Sequence, residues 1–160
     1  MRIHQQDDIT HGLPTLQFDA NLSDSESSLL HLRKQTFELL LHAASQSTFL
    51  VGMLNTFNHY LASGELPKPG TLPKNRVSIG IIGGGRLCKH IVRALLYHTA
   101  CLPHDITIST FQPELLEREF AGKGVRVCCD NGAVMGQSDL VLVCVPAAQL
   151  VVLQREVGSY

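Results

Sequence analysis

Val77-Ser78-Ile79-Gly80-Ile81-Ile82-Gly83-Gly84-Gly85-Arg86-Leu87-Cys88 reads as a buried strand, a glycine turn and the first residues of a helix. A lone G-x-G-x-x-G pattern is weak, but here strand, turn and helix follow in the order that a dinucleotide-binding βαβ unit requires. Gly83 permits a tight turn out of the strand. Gly85 has no Cβ to hold a pyrophosphate away from the backbone. The first N–H groups of the helix, near Arg86 and Leu87, then offer unsatisfied donors and a partial positive charge to that phosphate. The third small position of the pattern holds Cys88 instead of Gly or Ala, a compact apolar side chain that calls for slightly wider helix–strand spacing. The competing reading, a glycine turn that binds nothing, has to absorb the entropic cost of three consecutive glycines without a packing gain.

Downstream of this stretch, short β-branched runs alternate with helical ones: Val77–Ile82 then Leu87–Tyr97, Ile106–Ser109 then Glu114–Ala121, Val125–Cys128, and Leu140–Val145. Strands alternating with helices argue for a parallel sheet built from βαβ units. The run from Leu140 to Val145 has no polar alternation, as expected where helices cover both faces. The fold class is therefore α/β: a partial doubly wound, Rossmann-type parallel sheet of about four strands in the order 3-2-1-4, preceded by an α-helical extension. A dinucleotide-binding domain is expected over residues 76–160.

Upstream lie three further regions. Residues 1–22 are expected to be disordered, 23–64 to form the helical extension, and 65–75, with Pro67, Pro69, Gly70 and Pro73, to form a linker that cannot continue a helix. Ser23-Asp24-Ser25-Glu26 is a capping-box signature. Leu29, Leu32, Leu39, Ala43, Leu50, Met53, Phe57 and Tyr60 then recur at helical spacings as an apolar stripe, interrupted by Thr36 and Gln46. Ser45-Gln46-Ser47-Thr48 with Gly52 leaves open one helix or two. The stripe needs a partner: the following domain, a second copy of the chain, or another protein.

The end of the second strand addresses which dinucleotide is bound. Where an NAD-preferring unit places Asp or Glu against the adenosine ribose, this chain has Ser109-Thr110-Phe111-Gln112. An acid would repel a 2′-phosphate; the hydroxyls of Ser109 and Thr110, with Arg86 as a nearby positive charge, could accept one. NADP(H) is favoured over NAD(H). Alternatively, Ser109 and Thr110 serve only the turn into the next helix.

Composition narrows the classes further. Over 160 residues the net charge is −1, with no basic footprint for nucleic acid or an anionic membrane. Five cysteines without C-x-x-C spacing suggest neither a disulfide framework nor zinc, and the adjacent Cys128 and Cys129 read as buried or half-buried thiols in a reducing compartment. Eight scattered histidines form no ligand pattern, so no metal is expected. The N-terminus lacks a secretory h-region and carries acids, and no apolar run is long enough to span a bilayer. A cytoplasmic location is the simplest expectation, with the mitochondrion left open.

From Val77 to Leu153 the residues resemble the N-terminal, NADP-binding domain of the pyrroline-5-carboxylate reductase family. Ile79–Leu87 is similar to that family's I-G-F-I-G-x-G-x-M/L, Ile106–Thr110 to its second strand, Asp130-Asn131-Gly132-Ala133-Val134 to its D-N-x-x-A-V, and Ser138–Val143 to its A-D-V-V-I-L. The resemblance implies that Asn131 lies against the adenosine end of the cofactor and that Val145 and Pro146 are among the cofactor-binding residues. The family's A-V-K-P is here Cys144-Val145-Pro146, without the lysine. The chain looks like a diverged branch, similar to NADP-dependent oxidoreductase domain-containing proteins, and like a truncated form, because the family's further strands and helical domain do not follow.

The cofactor-binding residues expected are thus Gly83, Gly85, Arg86, Leu87, Ser109, Thr110, Asn131, Val145 and Pro146. No catalytic residue is nominated, since His90 and His98 fall on the first Rossmann helix. The function implied is hydride transfer between NADP(H) and an imine or carbonyl, with this chain holding the cofactor-binding part. The alternative is a non-catalytic nucleotide-binding or protein-interaction module.

Overall fold

The computed structural model describes residues 23–120 and 122–158; the disorder expected for residues 1–22 lies outside the described residues. The chain divides into two compact units, Met1–Leu39 and Leu40–Tyr160. In the first, Ser23 caps a short helix α1 (Asp24–Ser27): its Oγ accepts the Glu26 N–H while the Glu26 carboxylate accepts the Ser23 N–H at 2.9 Å. This is the reciprocal box that the serine–glutamate spacing predicts.

Helix α2 runs unbroken through Leu30–Ser63, which decides between one helix and two. The Ser47 and Thr48 hydroxyls donate back to the Ala43 and Ser45 carbonyls at 2.8 and 2.7 Å, so the polar cluster is satisfied within the helix and does not break it. The helix stops where Gly64 adopts φ 73° and its N–H reaches the Tyr60 carbonyl.

In the second unit, β1 (Ile79–Ile82), α3 (Arg86–His98), β2 (Ile106–Ser109), α4 (Pro113–Phe120), β3 (Arg126–Cys128), α5 (Asn131–Gln137), β4 (Leu140–Val143) and α6 (Ala147–Val157) alternate along the chain. The strands form one parallel sheet in the order β3-β2-β1-β4, as expected from the Rossmann reading. Ile82 sits level with Ser109 on one side and Val143 on the other, which brings the carboxyl ends of three strands to a common edge. The crossover helices fix this parallel order.

Ile79, Ile81, Ile106 and Ile108 form the centre of the core, against Cys88, Ile91, Val92 and Leu95 of α3 and Leu116 and Phe120 of α4. Each such side chain, fully buried, contributes about 1.5–3 kcal/mol relative to exposure. Burial pushes the Cys88 and Cys101 thiols up to about 12 and Cys144 to about 11, which keeps all three protonated and inert at neutral pH.

The buried face of α2 is not the expected stripe. Ala44, Ser47, Val51 and Asn55 are buried, whereas Leu29, Leu32, Leu39, Leu50, Met53, Phe57 and Tyr60 are exposed and Ala43 is half-buried. Small side chains allow closer approach to the core than leucine and phenylalanine would, and Ser47 is satisfied by its own helix, so burying it needs no further partner. The larger residues Phe49, Met53, Phe57, Tyr60 and Leu66 instead line an open groove of about 710 Å³.

Asn55 ties α2 to the strand lead-in: its Oδ1 accepts the buried Val77 N–H at 2.8 Å. Asn55→Ala leaves that N–H dry and unpaired, and a loss of about 1–3 kcal/mol is expected in urea unfolding. A change below about 0.5 kcal/mol would mean that the bond does not hold the helix.

Among the described residues no helix is long and apolar enough to cross a membrane, and no cluster of three or more His, Cys, Asp or Glu side chains could hold a metal ion.

Candidate nucleotide-binding site

The glycine run sits at the carboxyl end of β1, and its three members do different work. Gly83 has φ 105°, a backbone conformation costly for any residue with a Cβ, and a Cβ there would lie 2.6 Å from the Cys144 carbonyl oxygen. Its N–H donates to the Ser109 carbonyl at 2.8 Å, while the Cys144 N–H donates to Ile82 at 2.7 Å, so β1 is pinned to both neighbours at this level. At Gly84 a Cβ would come within 2.6 Å of Thr110 Oγ1 and 2.7 Å of Leu116, so the absence of a side chain lets the β2–α4 turn close on the loop. Gly85 differs. Its φ of −74° and ψ of −170° suit any residue, and a Cβ there would meet nothing within 4 Å.

Gly85 is also the N-cap of α3, with no side-chain cap hydrogen bond. The first intrahelical bond at this end runs from the Lys89 N–H to the Gly85 carbonyl at 3.2 Å. The preceding N–H groups of the turn have no acceptor within the helix by geometry, and with the helix dipole they form a cradle for an anion. Open space in front of an uncapped 13-residue helix suits a phosphate group.

These residues line a cavity of about 360 Å³ at the strand ends, within the range of small-molecule sites. Of the residues expected from the sequence, Gly83, Gly85, Ser109, Thr110, Asn131, Val145 and Pro146 line it. Arg86 and Leu87 are outside its wall: Arg86 is exposed, and Leu87 is half-buried against the core. Ser109 is 2% exposed, so its hydroxyl meets a ligand only from within the cavity. The Thr110 N–H donates to the Cys128 carbonyl at 2.9 Å and its Oγ1 accepts the Gln112 N–H at 3.4 Å, fixing the turn. His90 and His98 do not line the cavity.

Asp130 and Asn131 have separate roles. Asp130 is the N-cap of α5, its Oδ1 accepting the Ala133 N–H at 2.8 Å, which accounts for the acid by helix capping alone. Asn131 Nδ2 donates to Glu156 Oε2 at 2.8 Å, linking α5 to α6 across the cavity. A carboxylate can only accept, so the amide orientation is settled and the Asn131 oxygen is left as an acceptor. Glu156 and Gln149 of α6, with Phe111 and Cys129, are cavity residues that the sequence motifs did not indicate. Phe111 was legible as an aromatic in a polar turn; the α6 residues follow no motif, because their approach depends on how that helix returns over the sheet.

A family model described as NADP oxidoreductase, coenzyme F420-dependent, matches residues 78–159, from the residue before β1 to beyond α6. The chain belongs to this family. The Ser78–Asp139 contact falls inside the matched segment of this NADP oxidoreductase family member: Asp139 Oδ2 accepts the Ser78 N–H at 2.8 Å and its hydroxyl at 2.6 Å, and these bonds hold the carboxyl below its ordinary range. The chain is also 27% identical over 162 residues to the mouse protein "NADP-dependent oxidoreductase domain-containing protein 1". That similarity covers 95% of the chain, so it reaches into the α2 region, and the chain spans 43% of the relative's length. No solved structure matches the chain at a significant level.

Proposed function

We infer that the cavity binds NADP(H), with the pyrophosphate on the Gly83–Gly85 turn and the α3 N-terminus, the adenosine ribose toward Ser109 and Thr110, and the nicotinamide end toward Val145 and Pro146. The observation that carries this reading is Gly85: it is the one glycine of the run that the fold does not require, and the space beside it opens onto unsatisfied helix donors. Preference for NADP(H) over NAD(H) rests on the Ser109-Thr110 end of β2, which carries no acid, and on the Thr110 hydroxyl. It does not rest on a cation, since no Lys or Arg lines the cavity among the described residues.

When bound, the nicotinamide supplies the hydride. The chain's own residues bind and orient it; none of the cavity residues is a clear proton donor to a substrate. The activity proposed for the cofactor held here is pyrroline-5-carboxylate reductase-like reduction of an imine or carbonyl, in a reducing compartment such as the cytoplasm that suits five free cysteines. The α2 groove supports a second reading, a nucleotide-binding module that docks on a protein partner or a second copy through Phe49, Met53, Phe57 and Tyr60.

Titrating the chain with NADPH and with NADH, following nicotinamide fluorescence, tests the binding reading. Saturable binding, tighter for NADPH, is expected, and no NADPH oxidation with a cyclic imine by this chain alone. Absence of binding to both nucleotides would overturn the reading; turnover of the imine would overturn the confinement to binding.

A further inference from the structure

One of the residues that line the cavity is aromatic. Phe111 is 81% exposed, at the turn between β2 and α4, and among the described residues its ring has no aromatic partner. Thr110, beside it, is fixed to β3 and to Gln112, so the ring projects from an anchored backbone. A large exposed apolar side chain costs hydration without a packing gain, yet this one borders the same cavity as the glycine turn.

We propose that Phe111 is the adenine platform of the site. This rests on the nucleotide-binding reading above. The cavity extends from the β2 and β3 ends, at Phe111, Cys129 and Asn131, past the glycine turn to the β4 end at Pro146. A dinucleotide with its pyrophosphate at Gly85 therefore has one base on each side. In a Rossmann unit the ribose on the β2 side is that of adenosine, so the base beyond Thr110 is adenine and the flat ring nearest to it is Phe111. The Asn131 oxygen, left as an acceptor by the bond to Glu156, lies in the same wall and suits the exocyclic amine of adenine. Stacking is tolerant of base identity, so the platform contributes affinity, and the amide contributes the choice of base.

The test uses the whole chain with three probes: NADPH, ADP and nicotinamide mononucleotide. Phe111→Ala is expected to weaken NADPH and ADP by roughly 5- to 150-fold, the range for loss of one base–aromatic stack. Nicotinamide mononucleotide binding and the melting temperature stay as in the wild type, because the ring is exposed and follows β2, which β1 separates from β4. Phe111→Trp is expected to retain ADP affinity. Equal ADP affinity in the wild type and Phe111→Ala overturns the platform while leaving the phosphate turn standing, provided that Gly85→Asp still abolishes binding. A wild-type chain that binds neither NADPH nor ADP overturns both.

Discussion

Gly85→Asp is expected to reduce NADP(H) affinity by at least 100-fold while leaving the melting temperature unchanged or slightly raised. The two effects have separate causes. Gly85 has backbone angles open to any residue and empty space beside it, so a new side chain meets no protein atom. As the N-cap of α3, an aspartate would accept one of the free N–H groups and interact favourably with the helix dipole, a better cap than glycine by a few tenths of a kcal/mol. The same carboxylate would occupy the proposed phosphate cradle. Two unit charges about 4 Å apart repel by ~4 kcal/mol at an effective dielectric near 20, so a 100-fold loss is a conservative expectation. Calorimetric titration with NADP+ alongside thermal unfolding checks both halves. Retained affinity would place the phosphate elsewhere, and a large drop in melting temperature would show that the fold does need this glycine.

Gly83→Ala should do the reverse and act on the fold. The left-handed conformation at φ 105° costs an L-residue about 1–2 kcal/mol, and the added Cβ would press 2.6 Å from the Cys144 carbonyl oxygen. Relief requires β4 to move from β1, where the Cys144 N–H meets Ile82, or the Gly83 N–H to leave Ser109. A loss above about 4 kcal/mol is expected in urea unfolding, a large part of the 5–15 kcal/mol that holds a typical domain. A loss under about 1 kcal/mol would mean that the strand ends are not coupled through this residue.

Much of this architecture is legible in the chain itself. β-Branched runs of fixed polarity gave β2 its exact limits, Ile106–Ser109, and the run at Leu140 marked β4, although β4 ends at Val143 and Val145 lies beyond it. β1 begins at Ile79 and not Val77, because Val77 donates its N–H to the Asn55 side chain and not to a neighbouring strand. Periodicity found α2, and the face that packs on the core is the one of small residues, while the apolar stripe stays exposed, as a face kept for a second copy or another protein would be. A stripe of large apolar residues has the right spacing for burial, yet the closer contact went to Ala44, Ser47 and Val51, and no local rule weighs close approach against apolar area.

The site divides in the same way. The glycine turn and the β2 end were legible because strand, turn and helix fix their positions through local geometry. The Arg86 charge expected near the 2′-phosphate is not among the residues that line the cavity, while its backbone N–H remains at the start of α3. Glu156 and Gln149 were invisible, being brought to the cavity only by the packing of α6. Gly84 was passed over in favour of its neighbours, and only the 2.6 Å approach to Thr110 shows what it does.

The central claim is that the turn at Gly83–Gly85 and the start of α3 hold the phosphates of NADP(H). Amide ¹H–¹⁵N spectra of the chain during titration with NADP+ test it most directly. The account predicts saturable shifts concentrated at Gly84, Gly85, Arg86 and Leu87, with a second group at Ser109 and Thr110. Saturable binding with those amides unmoved, and the shifts gathered on α2 or another surface, would contradict it.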